Sequence, residues 1–492
     1  MSKRRYLIGG ALVAMAITLA PAAMGKKKKA IPLATSISAK DREAGAKAHP
    51  DLLKEFGGAY SGPQAAYVIG VGRKIASQSS LSKQQSDFTV TLLNSSVNNA
   101  FAIPGGYVYI TRQLMALCND EAEMAGVLGH EVGHVAAMHS QRRQASATRT
   151  AIGGTLLQVL AGVALGNSGL GELIQKGIGT GAQLLTLKFS RAQEDEADSL
   201  GINYLISAGY DPRALSSMLA SLAAQSTLDS RLAGRDGSVP EWASTHPDPA
   251  KRVSRTLGIA DASGAKSTLR NRDPFLNALN GVLYDDDPAQ GVVEGSRFLH
   301  PSMQITFTAP TGYGLSNGTD AVTVAGSGGQ AQFSGGPYSG NLDAYVNAVF
   351  GALTKNANLS GIASQRTSIN GIPAAYATRQ ANSQSGAVDV TVFAYEMGPQ
   401  TAYHFVLITP QGQGIGPFGS LVQSFAKLSA AEAAAVKPRR VTVVTVKSGD
   451  TMASLSSRMA YTSLQQERFQ TLNALAAGAV LKPGQRVKLV TY

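Results

Sequence analysis

Two periods of hydrophobic alternation run along the 492-residue chain, and the switches between them divide it. Residues 30–60 read as an approach helix, and Ala65 to Ser77 is amphipathic with a helical period. From Asp87 to Leu93, Phe88, Val90 and Leu92 alternate with Thr89 and Thr91, which predicts a half-buried strand. Phe101 to Thr111 has strand composition interrupted by Pro104-Gly105-Gly106, and proline inside a strand pattern predicts an edge strand or a hairpin. A long helical region is predicted from Asp120 to about residue 225. Residues 257–295 read as a linker carrying the acidic cluster Asp285-Asp286-Asp287. From about 296 glycine, serine and threonine increase. Strands at Gln304–Phe307, Val388–Glu396 and Tyr403–Leu407 and a helix near Leu342–Leu353 predict a separate α+β module at 296–428. An alanine-rich connector, Ala430 to Lys437, leads to a last module at 440–492.

Composition narrows the classes. Hydrophobic residues are 44% and charged residues 15%, so a packed core is feasible and wholesale disorder is excluded. The single cysteine, Cys118, excludes an intramolecular disulfide and an all-cysteine metal cluster. A net charge of +12 suggests a nucleic-acid binder, but seven of the positive charges are Lys3, Arg4, Arg5 and Lys26 to Lys29, and the rest of the chain carries only +5. With no basic stripe beyond residue 29 and no interleaved aromatics, no nucleic-acid partner is expected. Basic residues, an apolar run from Tyr6 to Ala20 and small residues after it predict a secretory signal at 1–25. The alternative is a membrane anchor, because Tyr6–Gly25 is about long enough to span a bilayer and the four lysines after it resist translocation. No cysteine follows the run to accept a lipid.

The chemistry lies in Leu128-Gly129-His130-Glu131-Val132-Gly133-His134. Histidines four apart on a helix project from one face and can reach one zinc ion. Glu131, about 100° round from His130, can face a water at such a metal and take its proton. Asp120 and Glu123 form a D-x-x-E signal for the helix start. A second helix opens at Glu194-Asp195-Glu196-Ala197-Asp198, capped by Ser190 with Gln193, and is expected to end near Gly209. Glu194 and Asp198 share a face, so one can bind zinc while the other holds the distal N–H of a ligand histidine. Asp195 and Glu196 read as complements to the helix dipole. His139, outside the i, i+4 pair, reads as structural. Asn99, Ala100 and Phe101 open a segment whose exposed strand edge can pair with an extended peptide. His246 and Arg252 sit on a loop and helix start.

Four motifs together resemble a known family. N-A-F-A-x-P-G-G at 99–106, H-E-x-x-H at 130–134, S-R-x-x-E-x-E-A-D-x-x-G at 190–201 and T-H-P-x-x-x-x-R at 245–252 resemble the HtpX/BepA-type zinc metallopeptidases, gluzincins related to the CaaX prenyl proteases, over about residues 40–256. The resemblance implies one zinc per chain on His130, His134 and Glu194, with Glu131 as general base and Asp198 behind a ligand. It implies that His246 lies near the metal, able to cap it and hold the enzyme latent, and that Arg252 helps stabilise the oxyanion. The implied fold is α+β: a mainly helical zincin-like domain (26–256) with a small sheet, then the α+β module and a βααβ module. The implied activity is periplasmic quality control on misfolded or misassembled envelope proteins. A scaffold or chaperone with a latent site is the alternative.

Residues 443–451 and 481–487 resemble a LysM domain, which implies peptidoglycan as a ligand of 440–492. Ala151 to Gly166 is apolar and short for a span. It reads as a buried or subunit-packing helix, with a mobile hairpin that covers the cleft or contacts membrane as the alternative. Trp242 can pack the loop before His246. No helical 34-residue repeat is found.

Overall fold

The computed structural model describes residues 32–142, 189–232, 246–353, 363–383 and 386–492. The segments expected to be a signal (1–25), the lysine run, the apolar stretch 151–166 and Trp242 lie outside them.

Helix α1 (Ala39–Glu55) starts at Ser38, whose hydroxyl accepts the Asp41 amide. Helix α2 (Pro63–Ala76) follows. Strands β1 (Thr89–Leu93), β2 (Ala100–Ile103) and β3 (Tyr107–Thr111) form a sheet in the order β1–β3–β2, with β1 parallel and β2 antiparallel to β3. The Pro104-Gly105-Gly106 interruption is therefore a hairpin, and it leaves β2 at an edge of this sheet. Both glycines have positive φ, and a Cβ on Gly106 would stand 2.4 Å from the Asp87 carbonyl oxygen. Only glycine fits there.

Helix α3 (Arg112–Leu117) leads into α4 (Glu121–Ala136), which carries both motif histidines. Asp120 Oδ1 accepts the Glu123 amide, while the Glu123 carboxylate turns to the Asn119 amide rather than completing a capping box. The described parts of the expected helical region are separate helices, with the break near Gly209 where it was expected. Met138, at φ +53, turns the chain beyond α4, and Gly209, at φ +82, separates α5 (Arg191–Ser207) from α6 (Ala214–Leu232). Ser190 and Gln193 do form a reciprocal capping box on α5. Helices α4 and α5 meet through glycines: a Cβ on Gly201 would lie 3.0 Å from the His130 amide nitrogen, and one on Gly133 3.2 Å from the Ala197 carbonyl oxygen. Without side chains there, the two helices come close enough for α5 carboxylates to reach α4 histidines. Helix α7 (Pro249–Ala262) lies against α6 and α5.

The stretch read as a linker, 257–295, is ordered and packed. It holds the end of α7, then α8 (Arg272–Leu279) with Phe275, Leu276 and Leu279 fully buried, and β4 (Leu283–Tyr284). Its acidic cluster is not a solvated run. Gln113 and Tyr461 bond Asp285, Ser96 bonds Asp286, and Asn94 bonds Asp287. Composition alone could not show that partners 170 or more residues away satisfy these groups.

Beyond it lies a seven-stranded antiparallel sheet whose long central strands, Ile372–Ser383, Gly386–Gly398 and Thr401–Pro410, alternate between two faces. Val390, Val392 and Ala394 pack under the helix Leu342–Leu353, which matches its expected bounds. Phe393, Tyr395 and Phe405 pack with Phe307 and Phe425 on the other face. His404 is buried on the Tyr345 hydroxyl (2.9 Å) and has a structural role.

The last module is βααβ: strands Arg439–Thr445 and Arg486–Thr491 enclose helices Met452–Ser456 and Gln465–Leu472. It is joined to the rest of the fold, because β4 adds a third strand beside Arg439–Thr445. Lys488 is fully buried, and its Nζ donates to the carbonyls of Ala116 (2.8 Å), Leu117 (3.3 Å) and Cys118 (2.6 Å) at the end of α3. Burial lowers its pKa, opposed by the charge of Glu123. No described helix is long and apolar enough to cross a membrane.

Lys488→Ala leaves buried carbonyls without their donor. It is expected to cost about 1–3 kcal/mol in urea unfolding. Amide exchange in Arg486–Thr491 should quicken before exchange in α4.

Candidate active site

His130 and His134 lie one turn apart on α4, with ring centroids 4.7 Å apart. The first turn of α5 brings Glu194 to them, and the segment entering α7 brings His246. All four are buried, His246 at 2% exposure. Their nearest atoms converge on one point. His134 Nε2 is 3.0 Å from His130 Nε2, which is 3.4 Å from His246 Nδ1, which is 3.0 Å from Glu194 Oε1. Glu194 oxygens lie 3.5 Å from both His130 Nε2 and His134 Nε2. A tetrahedron with zinc–nitrogen bonds of about 2.0–2.1 Å has edges of about 3.3–3.4 Å. Three imidazoles and a carboxylate at these separations fit a zinc ion in both geometry and donor type.

Glu131 is buried beside this set, and its Oε1 has no hydrogen-bond partner among the described residues. His246 Nε2 lies 3.6 Å from this oxygen. Burial raises the Glu131 pKa, partly opposed by His246 and His130. Glu194 behaves in the opposite way. Burial pushes it up too, but His246 and His130 outweigh this and hold it far below the usual carboxylate range. Their neighbours thus drive the two carboxylates in opposite directions. For His130, burial works against the charged form, yet hydrogen bonds to Asp198 and Glu194 bring its pKa up to about 9.

Asp198 sits behind the ligands. Its Oδ1 is 2.9 Å from His130 Nδ1, which fixes that ring with Nε2 turned to the centre. Arg252 bridges Asp198 and Glu194 with its guanidinium, and Arg255 also reaches Asp198. The resemblance implied an oxyanion role for Arg252. In the structure its donors engage these two carboxylates, so it balances their buried charge. His139 and Glu196, read as structural and as dipole complement, prove to be close to the centre: His139 Nδ1 is 2.8 Å from His134 Nδ1. The i, i+4 rule cannot find this residue.

At the edge strand, the Thr111 amide donates to the Asn99 carbonyl, which anchors Asn99 to β3. The Phe101 ring packs with Leu52, Phe56 and Tyr109, so any contact of β2 with a peptide would use its backbone. β2 packs on α4.

Asp198→Ala strips the buried Arg252 of a partner. It is expected to destabilise the fold by about 3–5 kcal/mol in denaturant titration. Asp195→Ala, which removes an exposed partner of Arg255, should cost no more than about 1 kcal/mol.

Comparison with known proteins agrees with this geometry. Residues 63–260 match peptidase family M48, and residues 444–490 match the LysM domain. A β-barrel assembly-enhancing protease of Yersinia pestis is 32% identical over 213 residues, 42% of this chain and 41% of the relative. The mitochondrial metalloendopeptidase OMA1 of Schizosaccharomyces pombe is 30% identical over 212 residues, 42% of this chain and 57% of that one. Metalloprotease LoiP of Escherichia coli is 31% identical over 169 residues, 34% and 61% of the two chains. The chain thus spans about two fifths of the length of the first of these relatives. The stretch similar to peptidase family M48, 63–260, contains all four converging side chains, and the stretch similar to the LysM domain follows at 444–490.

Proposed function

We propose that the chain is a zinc metalloendopeptidase that cleaves misfolded or misassembled envelope proteins in the periplasm. The observation that carries this reading is the convergence of His130, His134, Glu194 and His246, with an unpartnered Glu131 oxygen beside them. When bound, zinc polarises a peptide carbonyl and lowers the pKa of the attacking water. Glu131 accepts that water's proton and hands it to the leaving nitrogen, a role suited to a carboxylate with a raised pKa. Asp198 and Arg252 keep the ligands in place. The free edge of β2 (Ala100–Ile103) aligns an extended substrate, with Asn99 tying the start of the strand to Thr111 of β3. Relatives named for β-barrel assembly support an envelope substrate, and the predicted signal at 1–25 supports export. The family match at 63–260 supports the greater part of the proposed 26–256 unit. The LysM-like unit at 440–492 binds peptidoglycan, a reading supported by the exposed turn Lys447-Ser448-Gly449.

His246 gives this enzyme a resting form. With its Nδ1 in the ligand set, four protein donors surround the centre, the closed arrangement of a structural rather than a working site. Its departure would free a position for water and carbonyl. The same observation favours the second reading, an envelope scaffold whose site stays latent.

Glu131→Gln is expected to keep zinc and lose cleavage of an unfolded protein by about 10²–10⁴-fold. His246→Ala should keep zinc and cleave faster than the wild type. If the wild type and His246→Ala both hold zinc and neither cleaves, the scaffold reading stands instead.

A further inference from the structure

The second ligand histidine has a support of its own. His134 Nε2 faces the other ligands, so its lone pair lies there and its hydrogen sits on Nδ1. That Nδ1 is 2.8 Å from His139 Nδ1, which must then accept. His139 therefore carries its hydrogen on Nε2, 3.0 Å from Glu196 Oε2. Arg142 grips both oxygens of Glu196. His139 is fully buried, and Gln193 on α5 holds its carbonyl at 3.1 Å. On an unbroken helix, a residue five positions after His134 would point roughly 140° away from it. The left-handed turn at Met138 ends α4 and brings the His139 ring behind His134.

We infer that His139 and Glu196 are positioning residues for the metal centre. The chain Glu196–His139–His134 fixes the tautomer and orientation of His134, as Asp198 does directly for His130. Both ligand histidines are thus set by carboxylates of α5, one at first hand and one through a second imidazole. The inference rests on the zinc-peptidase reading. It adds two residues that the four motifs do not assign to the metal.

The test is zinc affinity of the full-length protein, measured by chelator competition, with the metal-free unfolding midpoint as a control for the fold. His139→Leu removes the acceptor and should weaken zinc binding by about 10–100-fold. In His139→Asn, Oδ1 stands where Nδ1 stood, and most of the affinity should return. Glu196→Gln, at the partly exposed end of the chain, should fall between them. The cobalt-substituted His139→Leu protein should show a shifted visible spectrum, because His134 can rotate. The inference is overturned if His139→Leu holds zinc within about twofold of the wild type, or if His139→Asn loses as much as His139→Leu. Should His139→Leu fail to fold, an unchanged affinity in Glu196→Gln overturns it instead. A wild-type chain that takes up no zinc is a different result. It ends the peptidase reading itself.

Discussion

Two carboxylates on α5, Glu194 and Asp198, are buried against α4, and the organisation of the centre follows from how their charge is balanced. A buried carboxylate without partners would take up a proton rather than stay ionised. Here Arg252 lies across both, and His130 is hydrogen-bonded to Asp198. The need for Arg252 holds the start of α7 on the site. His246, six positions earlier in the chain, is carried into the ligand set with it. The contacts that balance the buried charge therefore also bring His246 beside His130 and Glu194.

The scaffold keeps these groups still. Glycines at the α4–α5 contact permit the short reach from carboxylate to imidazole. The carbonyls ending α3, immediately before α4, are held by Lys488 from the last module. The module that matches the LysM domain is thus bonded to the element that introduces the helix of His130 and His134. If that module engages the cell wall, it fixes the orientation of the peptidase domain rather than trailing it on a flexible cord. Glu131 stands apart within this rigid frame: it is buried like Glu194, but its Oε1 has no hydrogen-bond partner among the described residues. Its raised pKa and the lowered pKa of Glu194 show two carboxylates driven in opposite directions by their neighbours.

Much of this was legible in the chain. The i, i+4 pair at His130 and His134, the S-x-x-Q start of α5, the hairpin at Pro104-Gly105-Gly106 and the helix Leu342–Leu353 depend on neighbours within a few residues, and local chemistry fixes them. The readings that changed depend on distant partners. The acidic run Asp285-Asp286-Asp287 reads as part of a linker because Asn94, Ser96 and Gln113 are nowhere near it in sequence. Arg252, to which the resemblance gives an oxyanion role, lies across Asp198 and Glu194, which are more than fifty residues earlier in the chain.

The sequence by itself determined which residues can do metal chemistry and on which helices they ride, because helical periodicity and capping are local properties. Tertiary structure alone decided what those residues do in company. It brought His246 into the set as a third imidazole, turned Arg252 onto the buried carboxylates and set His139 behind His134 through a left-handed turn at Met138. It also bonded the last module to α3. Each of these is a balance of buried charge or hydrogen bonding between segments, and no period or motif within one segment carries that information.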